Sequence, residues 1–141
     1  VVGIDLDLNK LNKARRKITK NLVFLHGDAT RLPMAPGLYD VVVISFALHD
    51  VPYSIGLGFL KEARRVLKDK GLVYIVEHEN PSDNLIARLF FWIALLFETP
   101  NHKIFFRNTL EDYFQETGFE FLNKTQLALG AVRLVTAVKS N

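Results

Sequence analysis

A chain of 141 residues, 49% hydrophobic and 23% charged, is long enough for one domain with a real core and too apolar to be disordered. Its formal net charge of +3 is too small to argue for nucleic acid without a clustered patch. With no cysteine, disulfides, thiolate metal sites and a cysteine nucleophile are excluded, which fits a reducing, cytoplasmic setting.

The first element is VVGIDLD. Its two acids and lack of a basic segment do not read as a signal peptide. Residues 1–5 read as a buried strand that runs into Asp5 and then a helix. In nucleotide-binding α/β folds an acid at the carboxyl end of the second strand takes the hydroxyls of a ribose. The strand and glycine-rich loop expected about 20 residues earlier have no counterpart, so the chain reads as an N-terminally truncated cofactor-binding domain. On the first helix Leu11, Ala14 and Ile18 recur at helical spacing, and the basic run Lys10 to Lys20 reads as its solvated face. Residues 22–26 read as the second strand.

Residues 41–45 (VVVIS) and 72–77 (LVYIVE) are short, nearly all apolar and β-branched, the mark of strands buried on both faces in a parallel sheet. Between them Phe59, Ala63 and Val66, with Leu60 and Leu67, form one face of a helix that ends before Gly71. The charges from Lys61 to Arg65 read as its solvated side. Residues 85–97 (LIARLFFWIALLF) hold one charge, Arg88, and fall short of the roughly 20 residues a membrane span needs. They read as a buried helix or a lid. The other readings are a dimer contact, a membrane-surface helix and one wall of a greasy pocket. Residues 109–117 predict a helix capped by Thr109 and stopped by Gly118. FEFLNKT and AVRLVTAV then read as two strands joined near Gly130, which must run antiparallel. The sum is a single α/β domain over residues 1–141. Its doubly wound, mostly parallel sheet closes on a C-terminal antiparallel hairpin and lacks its first strand.

In such a sheet ligands bind beyond the carboxyl ends of the strands. That edge carries Asp5, then His26-Gly27-Asp28-Ala29, then Ser45 to Asp50, then Glu77-His78-Glu79. The blocks VVGIDLDLNKLNKAR, FLHGDATRLPM, YDVVVISFALHDVP and EARRVLKDKGLVYIVEH, in this order and spacing, resemble the class I S-adenosylmethionine-dependent methyltransferases, a Rossmann-like family. The branch they resemble acts on small molecules and includes enzymes of ubiquinone and menaquinone biosynthesis.

The resemblance implies S-adenosylmethionine as cofactor, a small-molecule methyl acceptor, which the apolar stretch 85–97 tilts toward a hydrophobic one, and roles for particular residues. Asp5 would accept both ribose hydroxyls, which suits a group with two oxygens and no donor. Leu6 would pack on the adenine, Asp28 would take its amino group, and the Ala29 N–H would meet a ring nitrogen. Ser45 and Phe46 would pass beneath the cofactor. His49 and His78 are the candidate bases, and His26 is expected beside the cofactor. His102 falls in a loop. The family's GxGxG loop has no match; Gly3 lies in a strand, and Gly56 and Gly58 lie at the start of a helix. The absent central strand would leave a gap of about 9–10 Å with unpaired backbone groups on both sides. The alternative is direct pairing of its neighbours into a reduced sheet.

A metal site from His49, Asp50, Glu77, His78 and Glu79 is disfavoured, because neighbours along a strand point to opposite faces. Two other functions are alternatives to methyl transfer. One is a catalytically inactive methyltransferase-like module that interacts through residues 85–97. The other is a nicotinamide-dependent oxidoreductase, which needs a Tyr-x-x-x-Lys pair. Tyr39, Tyr53, Tyr74 and Tyr113 are followed four residues later by Val43, Leu57, His78 and Thr117, so that pair is absent.

Overall fold

The computed structural model describes residues 1–17, 20–79, 88, 89, 93 and 109–140. Along the chain run β1 (Val2–Asp5), α1 (Leu8–Arg15), β2 (Val23–His26), β3 (Tyr39–Ser45), α2 (Tyr53–Val66), β4 (Leu67–His78), α3 (Leu110–Thr117), β5 (Phe119–Leu127) and β6 (Val132–Lys139). β1 and β2 pair in parallel, from Val2 opposite Val23 to Asp5 opposite His26. The remaining strands form a sheet in the order β3-β4-β6-β5. β3 and β4 are parallel there, while β6 is antiparallel to both its neighbours. The parallel sheet ending in an antiparallel hairpin is therefore present. Direct closure of the sheet is not: among the described residues no ladder joins β1 or β2 to β3. The expected burial of β3 on both faces is not met: Val41 and Val43, which share one face, are 45% and 60% exposed, whereas Ile44 on the other face is buried, because successive side chains of a strand point to opposite faces and only one of these is covered.

Local chemistry sets the element ends. Asp7 caps α1, its carboxylate accepting from the N–H groups of Asn9 and Lys10. Leu11 of α1 is buried, Ile18 lies outside the described residues, and the cations Lys10, Lys13, Arg16, Lys17 and Lys20 are exposed. Thr109 and Asp112 form a reciprocal capping box on α3, and Gly118 ends it in the left-handed region at φ 69°. α2 stops at Val66, so Leu67 is not on its apolar face; it is the fully buried first residue of β4, opposite Tyr39. Gly56 and Gly58 lie within α2, where a Cβ on Gly56 would stand 2.8 Å from the Tyr113 Oη, so α3 can approach only a bare backbone there. Leu60, Leu67, Val73, Ile75 and Tyr113 lie at the centre of the core.

The charged side of α2 is not simply solvated. The Arg65 guanidinium donates to the carbonyls of Met34 (2.7 Å) and Leu32 (2.9 Å) and to both oxygens of Glu62, while Glu62 Oε2 accepts the Leu32 N–H at 2.7 Å. Arg64 donates to the carbonyls of Gly118 and Ser140. Long side chains here satisfy backbone groups that no ladder reaches. The Glu62–Arg65 pair bolts the loop after β2 to α2 and so ties the two sheets. Accordingly, the Arg65 hydrogen bond holds the Glu62 carboxyl below its ordinary value. Arg65→Ala is expected to cost about 2 kcal/mol, read as a lowered urea midpoint at unchanged slope.

Candidate functional site

The carboxyl ends of β1, β2, β3 and β4 carry the polar residues picked out by the sequence. Asp5 is half-buried, its Oδ1 accepting the Asp7 N–H at 2.8 Å. It lines a cleft of about 170 Å³ with Gly3, Ile4, Lys10, Leu11, Ala14 and Phe24. The neighbouring strand end is held to it: the Gly27 N–H donates to the Asp5 carbonyl at 3.2 Å, and His26 Nε2 lies 3.0 Å from the Leu6 carbonyl. Leu6 is 62% exposed. Asp28 is exposed and accepts the Thr30 N–H at 2.8 Å, which holds its carboxyl below the ordinary range. Asp28 thus has the local turn geometry of an aspartate after a strand as well as an edge position one strand away from Asp5. Ala29 is half-buried beside it.

β3 leaves the sheet through Ser45, paired with Val76, and Phe46, whose N–H donates to the Val76 carbonyl at 2.8 Å. Phe46 adopts φ 49°, a left-handed backbone that costs a bulky residue of order 1–3 kcal/mol and clusters at ligand sites. Its ring stands 4.9 Å from that of His78, which stands 4.7 Å from that of His49. The turn is fixed by Glu77, a side chain with no exposed surface. Its Oε1 accepts the N–H groups of Ala47 (2.8 Å) and Leu48 (2.7 Å), and its Oε2 lies 2.7 Å from His49 Nδ1.

The structure therefore groups the candidates in two clusters on one edge, Asp5, Leu6, Asp28 and Ala29 after β1 and β2, and Ser45, Phe46, His49 and His78 after β3 and β4. His49, Glu77 and His78 come together, whereas Glu79 turns to an ion pair with Lys124. Among the described residues no group of three His, Cys, Asp or Glu side chains could hold a metal ion. Two residues on this edge have surroundings the sequence did not disclose. One is Glu77 as the anchor of the turn. The other is Arg133, placed opposite Glu77 across the β4–β6 ladder. Burial pushes its guanidinium below the ordinary value against the pull of Glu79, Glu77 and Glu111. The signal was a lone charge inside the apolar run AVRLVTAV. The stretch 85–97 lies outside the described residues except for Arg88, Leu89 and Ile93, of which Leu89 is 61% exposed; His102 also lies outside. Among the described residues no helix is long and apolar enough to cross a membrane.

The whole arrangement is similar to known proteins. A family profile described as "Methyltransferase domain" matches residues 1–75. Demethylmenaquinone methyltransferase of Staphylococcus saprophyticus is 31% identical over 131 residues, covering 90% of this chain and 55% of the relative. The protein of the same name from Staphylococcus aureus strain JH9 is 34% identical over 134 residues, covering 90% and 53%. The chain thus spans little more than half the length of these relatives. Among solved structures, a putative methyltransferase from Bacillus halodurans superposes with a TM-score of 0.71 at 18% identity, over all of this chain and 83% of the other. A SAM-dependent methyltransferase from Aquifex aeolicus gives 0.73 at 17% identity, over 99% and 69%.

Proposed function

Because this chain belongs to the methyltransferase-domain family, as a class I S-adenosylmethionine-dependent methyltransferase of the menaquinone-like branch, we propose that it holds S-adenosylmethionine along the carboxyl edge and methylates a small quinone-type acceptor. The observation that carries this reading is the pair of carboxylates, Asp5 and Asp28, at the ends of adjacent parallel strands, joined by the Gly27-to-Asp5 hydrogen bond.

When bound, the cofactor supplies an electrophilic methyl group. Asp5 then accepts the ribose hydroxyls and Asp28 the adenine amino group, with the Ala29 N–H at a ring nitrogen. Leu6 and Phe46 supply apolar surface, and Ser45 lines the floor. These groups fit a nucleoside. The described residues offer no counterpart of the glycine-rich loop for its methionine part. His49 and His78, the candidate bases of the sequence, would be the groups to take a proton from the acceptor, a contribution of about 10²–10⁴-fold in rate. The names of the relatives favour a quinone precursor as that acceptor. The exposed Leu89 and Ile93 fit a stretch that meets such a lipid-soluble molecule, a membrane surface or a second copy of the chain in a cytoplasmic protein.

The test joins a strand and a glycine-rich loop of the GxGxG type ahead of Val1, titrates the product with S-adenosylmethionine by calorimetry, and follows labelled methyl into a demethylated naphthoquinol. Saturable binding with label in the quinone is the expected result. Binding of a reduced nicotinamide in place of S-adenosylmethionine would refute the reading.

A further inference from the structure

The positive charge of the chain is concentrated around one helix. Six of its 18 basic residues and none of its 15 acids fall between Leu8 and Gly27, so the remainder is net negative. Lys10, Lys13, Arg16, Lys17 and Lys20 are exposed there. The Arg16 N–H donates to the Lys13 carbonyl at 3.3 Å and the Lys17 N–H to the Ala14 carbonyl at 2.9 Å, so the turn continues past the end of α1. At about 3.6 residues per turn, Lys13, Arg16 and Lys17 fall on the side away from the buried Leu11. Arg15 falls on the inner side and donates to the Phe24 carbonyl at 3.4 Å. Among the described residues no carboxylate forms an ion pair with any of the five exposed cations. A face that only has to meet water needs no single sign. Like charges three and four residues apart, as Lys13 stands to Arg16 and Lys17, repel and weaken a helix. The nearest acid, Asp7, is engaged at the cap. On α2, by contrast, Arg65 is matched by Glu62.

We propose that this basic row docks the protein on an anionic phospholipid surface. The apolar side of α1 already faces the interior, so the contact is adsorption by charge without insertion. Four of the five cations are lysines. Their compact point charges suit a fluid layer of headgroups better than the fixed bidentate geometry that arginine reads. Each basic residue held near such a surface raises partitioning about fivefold. The choice of a membrane over a nucleic acid rests on the quinone reading above, because a lipid-soluble acceptor is reached from a bilayer. The row also begins at the candidate site, where Lys10 lines the cleft with Asp5. A bilayer held by the row thus lies beside the edge that takes the acceptor.

The experiment is flotation of the purified chain with phosphatidylcholine vesicles that carry a minority of phosphatidylglycerol, and with the same vesicles lacking it. The protein is expected to float with the anionic vesicles only. It should be released as salt rises from 0.1 M to about 1 M and the screening length falls from about 10 Å to about 3 Å. The triple variant Lys13→Gln, Arg16→Gln, Lys17→Gln should partition about 10²-fold less. Its urea midpoint should scarcely move, because relief of repulsion on the helix offsets the loss of a cation from its last turn. A second triple variant, Lys13→Arg, Arg16→Lys, Lys17→Arg, keeps the charge and should keep the binding. Equal flotation with neutral vesicles, or no flotation of the wild type at low salt, overturns the proposal. So does an unchanged partition of the glutamine variant, or displacement of the vesicles by a random-sequence RNA at equal charge concentration, which would assign the row to nucleic acid. Flotation needs no turnover: vesicle binding by a protein that transfers no methyl group upholds the docking surface and strikes only the function reading.

Discussion

Asp5→Ala is expected to weaken S-adenosylmethionine binding by about 1–3 kcal/mol, a factor of roughly 5 to 150, in calorimetric titration. The carboxylate is held before any ligand arrives. Its Oδ1 takes the Asp7 N–H, and its backbone carbonyl takes the Gly27 N–H. A preset acceptor loses little freedom on binding and can meet two neighbouring hydroxyls at once. Asn at this position keeps one acceptor oxygen and so should lose only part of the affinity. Asp7→Ala is the control. It removes the cap of α1, worth about 1 kcal/mol of stability, without removing a ligand group, so its effect should appear in the urea midpoint and scarcely in affinity. Equal affinities for wild type and Asp5→Ala would take Asp5 out of the site.

Much of this edge was legible because the features that create it are local. A strand ending in an acid, a helix cap at Thr109 and a glycine just past the helix end at Gly118 each declare themselves within a few residues. What stayed hidden depends on partners distant along the chain. Glu77 reads in sequence as one more acid at a strand end. Only the fold turns it inward onto residues 28 to 30 positions earlier. Arg64 and Arg65 read as a solvated charged face because nothing local says that backbone carbonyls at Gly118, Ser140, Leu32 and Met34 lie within their reach. The start of β4 was misplaced because Leu67 continues the apolar spacing of α2. Its pairing with Tyr39, a tertiary event, is what claims it for the sheet. The burial of β3 on both faces, read from its apolar run, fails because burial depends on what packs against each face: Ile44 is covered while Val41 and Val43 on the opposite face are not.

Tyr113 is expected to carry the largest single share of stability beneath this edge. It is 1% exposed, packs its ring 4.4 Å from that of Tyr53, and fills the space a Cβ on Gly56 would need. Tyr113→Ala removes that ring where α2 and α3 meet, leaves a cavity that the glycine cannot fill, and should cost about 3–5 kcal/mol in urea denaturation. The phenol adds a pH signature of its own. Burial pushes the Tyr113 hydroxyl up to about 12, aided by the nearby Tyr53 and Glu77. Burial and the hydrogen bond to Glu116 push Tyr53 up to about 12 as well. Below about pH 10 both phenols are protonated in the folded and unfolded chains alike, and their contribution to stability is complete. Between pH 10 and 12 the unfolded chain releases these protons while the folded chain keeps them, so stability falls as pH rises through that window. For the fully buried Tyr113 the loss should reach about 2–3 kcal/mol. Tyr113→Phe keeps the ring but has no proton to lose. Its urea midpoint should therefore fall less steeply than the wild type's from pH 10 upward, and equal slopes would show that the Tyr113 hydroxyl ionises as readily inside the fold as outside it.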